Sequence, residues 1–209
     1  MSFGRIGIIG IVASIAVTAP SVCGCATPKT EVAYANPVTA RGTISPGYVV
    51  TARDKGSCTY GTTVLEASPL PVYSCVAGHA GYVTCWYLKG DRDQKTAFAL
   101  CQKVPWDKSA VEVITASKPP SGGGTKTNLD WPWAVALTTG AKCMPQPGGG
   151  QVVPGKGIVD YFCSTRLGLI GHVDRTAALW TFESARQSPS GVFVAGPIVH
   201  VSEVWYAGA

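Results

Sequence analysis

Apolar residues in this chain recur in short alternating runs, each bounded by glycine, proline or small polar residues. This is the period of half-buried strands and not of helices. The pattern predicts strands over 47–52 (GYVVTA), 57–60 (SCTY), 72–75 (VYSC), 81–88 (GYVTCWYL), 110–116, 129–137 (LDWPWAVAL, past its proline), 141–143 and 158–163. Lys55-Gly56 reads as a turn between the first two, and 93–103 (DQKTAFALCQK) suits either a strand or a short helix. In 81–88, Tyr82, Thr84, Trp86 and Leu88 alternate with Val83, Cys85 and Tyr87, so neither side is polar and both should be covered.

The clearest break is Ser117-Lys-Pro-Pro-Ser-Gly-Gly-Gly124, and a proline- and glycine-rich loop spans 145–157. The expected fold is all-β or strongly β-dominated, made of small disulfide-stabilised sheets in two subdomains, 46–120 and 129–209, joined by a linker at 121–128. The halves share a pattern: Cys58 to Cys75 with Tyr73 two before the second cysteine, and Cys143 to Cys163 with Tyr161 in the same place. Gly90, Asp93, Lys95, Thr96 and Ala97 are echoed by Gly171, Asp174, Arg175, Thr176 and Ala177, with one residue fewer in the second copy. Duplication of one unit and reuse of short β signals both account for this.

The first residues follow a different rule. Arg5 precedes an uncharged run from Ile6 to Ala19 that meets Pro20, short of the roughly 20 apolar residues a bilayer span needs. Residues 1–24 therefore read as an export signal. Two exits are open. Val22-Cys23-Gly24-Cys25 resembles a lipobox, with Cys25 the lipidation candidate and 25–45 a flexible tether. Ala33-Tyr34-Ala35 fits ordinary secretory cleavage before Asn36.

Either exit leaves six of the eight cysteines for the folded part, an even number that suits three disulfides in an oxidising compartment. Proximity in sequence selects Cys58 with Cys75, Cys85 with Cys101, and Cys143 with Cys163. With no close CxxC pair and with histidines scattered at 79, 172 and 200, no metal site or cofactor is expected.

Composition adds that turns are frequent, with 25 glycines and 15 prolines in 209 residues. The formal charge of +5 comes from dispersed lysines and arginines. That excess suits anionic envelope polymers or lipids, while the lack of a basic helix, finger or helix-turn-helix argues against nucleic acid.

Candidate chemistry is sparse. His172 and Asp174 flank Val173 and would share one side of a strand, but no GxSxG elbow supplies a nucleophile. Asp91, Arg92, Asp93 and Lys95 read as a solvated loop with local ion pairs. Trp131 and Trp133, flanking Pro132, are either core residues or an aromatic shelf for a sugar.

Taken together, the lipobox-like VCGC, WPWAVAL at 131–137, the YFC ending at Cys163, GHVDR at 171–175 followed by Leu179-Trp180-Thr181, and VWY at 204–206 resemble secreted proteins and lipoproteins of mycobacteria and related actinobacteria. These have no assigned activity. The resemblance lies mainly in 129–206; it implies an envelope location and a β-rich disulfide domain, and carries over no catalytic residue. The expected function is a noncatalytic cell-envelope or secreted protein, lipid-anchored if Cys25 is modified, that binds an envelope protein, lipid or glycan. An extracytoplasmic hydrolase is the alternative.

Overall fold

The computed structural model describes residues 27–60, 71–89, 96–116, 131–145 and 150–208. Cys25 and the export signal, the charged stretch 91–95 and the glycine-rich break at 121–124 lie outside the described residues. Over the described residues the fold is all-β, with two closed barrels and three disulfides.

Five strands form the first barrel: β2 (Val49–Tyr60), β3 (Tyr73–Ala77), β4 (Ala80–Tyr87), β5 (Ala97–Cys101) and β6 (Ser109–Thr115). Neighbours pair antiparallel, and an odd number of strands leaves the closing pair, β2 with β6, parallel. The ambiguous 93–103 segment contains strand β5, as the β preference of its apolar centre favours. Lys55-Gly56 is not a turn. Strand β2 runs straight through it, and the glycine serves close approach, since a Cβ there would lie 2.2 Å from the Val76 carbonyl oxygen.

The second barrel closes through β7 (Ala134–Leu137), β8 (Lys142–Pro145), β10 (Gly157–Cys163), β11 (Leu167–Asp174), β12 (Thr181–Gln187) and β14 (Val199–Ala207), which returns to both β7 and β12. Short strands β9 (Val152–Val153) and β13 (Phe193–Ala195) flank it. A further strand, β1 (Glu31–Ala35), corrects the reading of 25–45 as a tether: it pairs parallel with β14, from Glu31↔Glu203 to Ala35↔Ala207. Unpaired donors and acceptors at the edge of β14 favour this addition.

Each disulfide links residues directly opposite each other on paired strands: Cys58–Cys75 across β2 and β3, Cys85–Cys101 across β4 and β5, and Cys143–Cys163 across β8 and β10. The first barrel buries Tyr73, Cys75, Tyr82, Cys85, Cys101 and Val113 together. The second buries Val135, Tyr161, Leu169, Phe182, Val201 and Val204.

A third cluster joins the barrels. Trp86, Leu100 and Ala110 of the first pack with Trp133, Ala35 and Ala207 of the second body, and the Trp86 and Trp133 rings meet edge-on at 6.0 Å. Strand β4 is thus apolar on both faces because both are covered. Strand β14 shows the same logic in another way. Val201 and Val204 both point into the second core because the register shifts between Val201 and Glu203, which sends Trp205 outward to Ala134 and Trp106.

Candidate functional site

Three regions gather polar or aromatic groups, and each is positioned by the way its strands pair or turn.

The first lies on β10 and β11. Gly171 adopts a φ of 67°, a conformation glycine accepts without cost, and its N–H donates to Asp160 Oδ2 at 2.9 Å. The next residue, His172, is exposed, with its ring centroid 4.2 Å from that of Trp131 in an edge-on contact. Trp131 is held from below, since the buried Tyr161 hydroxyl donates to the Pro132 carbonyl at 2.7 Å. Burial raises the Asp160 pKa, against the pull of the Gly171 N–H and of His172. Burial likewise raises that of Tyr161, well above the ordinary phenol value.

His172 and Asp174 are both exposed on β11, with the buried Val173 between them. Asp174 accepts the Thr176 N–H at 2.9 Å, which turns its carboxylate into the β11–β12 connection and lowers its pKa. Among the described residues no serine or threonine hydroxyl hydrogen-bonds the His172 ring. The acidic neighbour of His172 is Asp160, twelve positions upstream. Its partnership comes from β10–β11 pairing, for which sequence spacing has no signal. Trp133 also leaves the sugar-shelf reading: it is fully buried between the barrels, while Trp131 remains half-exposed.

The second region is a latch around Thr30, which sequence reading missed. The Thr30 N–H donates to the Ala178 carbonyl at 2.9 Å and its hydroxyl donates to the Val201 carbonyl at 2.7 Å. The same hydroxyl oxygen accepts the Trp180 N–H at 2.8 Å. One buried side chain thus ties β1 to the β11–β12 connection and to β14. At the other end of β1, the Ala35 carbonyl accepts the Gly208 N–H at 2.8 Å. Next to the latch, the exposed Arg175 guanidinium lies 5.6 Å over the half-exposed Trp180 ring.

The third is a row across β1, β14, β7 and β8. Glu31 stands opposite Glu203, which pairs with Ala136, which pairs with Lys142. The pKa of Glu203 is raised by burial and by Glu31, and Lys142 opposes both. Lys142 Nζ also sits 4.8 Å over Trp106, whose ring meets Trp205 at 5.5 Å.

As for metal ligation, the sulfurs of Cys75, Cys85 and Cys101 lie within 4.8 Å of one another, but all three belong to disulfides and offer no thiolate. Among the described residues no helix is long and apolar enough to cross a membrane. No family model, curated protein or solved structure matches this chain.

Proposed function

We infer that this is a noncatalytic envelope protein, held on the outer face of the membrane by a lipid on Cys25, whose two-barrel body binds another envelope component. The observation that carries the reading is strand β1. Every residue of Glu31–Ala35 pairs with β14, and the Thr30 latch fastens its start. Secretory cleavage after Ala35 would remove a strand and its latch from the second barrel. Cleavage before Cys25 keeps both. The lipobox-like VCGC is therefore the exit compatible with the intact fold.

A binding role rests on how the aromatic and titratable groups are spent. Trp86, Trp133 and Trp205 pack the barrels together, and Asp174 caps a turn. Trp131 with His172 and Asp160 forms a small aromatic and polar rim at the surface, suited to contact with a polar polymer or a protein.

Mass spectrometry of the mature amino-terminal peptide tests the anchor. A peptide beginning at lipid-modified Cys25 is expected, and Cys25→Ala should leave an unprocessed precursor or release the protein from the membrane fraction. An unlipidated terminus at Asn36 overturns the reading. Crosslinking in intact envelopes tests the binding role. Failure to recover any partner, together with ester or peptide hydrolysis that is lost in His172→Ala, would favour the hydrolase.

A further inference from the structure

If Cys25 carries the lipid, the distance from anchor to fold is short. A chain spans at most about 3.6 Å per residue, so the path from Cys25 to Thr30 is no longer than about 18 Å. Thr30 is buried and fixed to Ala178, Trp180 and Val201, so the chain cannot lengthen this path without breaking the latch. The end of the second barrel that carries the latch is therefore held within about 18 Å of the anchored residue, nearer the membrane than the far end of the barrel needs to be.

The side chains at that end suit such a position. Lys29 and Arg175 are exposed cations. Arg175 lies over the half-exposed Trp180, an aromatic residue of the kind that pairs an apolar body with a polar indole N–H. Ile198, one residue before β14, is 66 % exposed, and Val199 next to it pairs with Phe182 close to the latch. Two cations, a tryptophan and an isoleucine at the anchored end form the combination that membrane–water interfaces retain. The valines at 152, 192 and 194 make a more apolar surface. They belong to β9, β13 and the connection before β13, which pairs with the far end of β12 around Ala185–Gln187, and the tether does not bring them to the bilayer.

We propose that the β11–β12 connection, residues 175–180, together with Lys29 and Ile198, is a membrane-docking surface. It places Trp180 at the interface and Arg175 and Lys29 against anionic phospholipid headgroups, so that the lipid anchor and this face fix the orientation of the two barrels on the membrane. The proposal rests on the Cys25 anchor for its geometry, and it is tested with the anchor imposed.

A chain beginning at Cys25 contains every described strand, and its other six cysteines are in disulfides, which leaves one thiol to couple to a maleimide lipid. Coupled to phosphatidylglycerol–phosphatidylcholine vesicles with brominated acyl chains, the protein should show tryptophan quenching that is largely lost in Trp180→Phe. The double variant Lys29→Glu, Arg175→Glu should reduce it on anionic vesicles and not on phosphatidylcholine alone. Hydrogen exchange of the unsubstituted chain gives a readout that needs no variant: coupling should protect 175–180 and leave 152–158 unchanged. Quenching equal in the wild type and Trp180→Phe, or protection confined to residues away from the latch, overturns the docking surface. The mass of the amino-terminal peptide from cells judges the anchor separately, so the two ideas fail by different measurements.

Discussion

Thr84 is fully buried, and its hydroxyl has no hydrogen-bond partner among the described residues; the indole N–H of Trp133 is in the same position. An unpaired buried polar group costs about 1–3 kcal/mol relative to one that is satisfied. Thr84→Val keeps the β-branched shape and removes the orphan oxygen, so it is expected to stabilise the protein by about 1 kcal/mol, read as a higher urea midpoint at unchanged slope. A lower midpoint would show that an ordered water already satisfies the hydroxyl. Gly56 makes the opposite case. Its missing Cβ would stand 2.2 Å from the Val76 carbonyl oxygen and 2.8 Å from Val113 Cγ1, so Gly56→Ala must push β2 away from β3. Overpacking of this kind costs roughly 1–3 kcal/mol, and a backbone atom yields less readily than a side chain. The expected result is a clear drop in thermal midpoint, and an unchanged midpoint would mean that β2 has room the backbone does not show. Read locally, a glycine after a lysine signals a turn. Its actual role depends on Val76, twenty positions away, so the sequence carries no local mark of it.

Strand β1 shows how an element becomes illegible for the same reason. The strand periods of β4, β6, β7 and β10 were visible because each is rich in apolar or aromatic residues, and the three disulfides join the cysteines that proximity selects. Residues 31–35 are only five long, with small residues at 33 and 35 that also fit a cleavage motif, and their partner is the last strand of the chain. Of the candidate site, His172 and Trp131 were legible as residue types. Asp160 and Thr30 were not, since each acts through a contact that pairing alone creates. The parallel register of β1 also sets Glu31 beside Glu203, two carboxylates on one face. Burial first and Glu31 second raise the Glu203 pKa above its ordinary 4.5. The folded state therefore holds this proton more tightly than the unfolded chain. Its ionisation removes stability as pH rises from the ordinary value through the raised one, and stability returns as pH falls back through that window. Glu203→Gln removes the ionisable group, so the variant should lose less stability than the wild type between about pH 4 and neutrality. Parallel curves for the two proteins, from denaturation midpoints across that range, would show that Lys142 already neutralises the pair.

At the scale of the whole molecule, the question is whether two barrels with separate cores behave as one folding unit. Their covalent connection runs through residues 116–131, and their noncovalent connection is the cluster of Trp86, Leu100, Ala110, Trp133, Ala35 and Ala207, extended by the Trp106–Trp205 contact. Trp133 is the centre of that cluster and is fully buried. A large apolar interface makes two bodies unfold together, because either one left alone would expose its half of the surface to water. A buried tryptophan side chain covers about 150–250 Å², and replacing it with alanine costs about 3–5 kcal/mol, part of it from the cavity left behind. Trp133→Ala keeps both disulfide sets and both barrel ladders, so its loss falls on the coupling and not on closure of either barrel. The wild type should therefore unfold in one transition, with hydrogen exchange in β3–β6 and in β10–β12 opening at the same urea concentration. In Trp133→Ala the two sets of strands should open at different concentrations. A single transition in the variant, merely displaced to lower urea, would show that Trp106 and Trp205 suffice to couple the barrels, and the double variant with Trp106→Ala would then be the one that separates them.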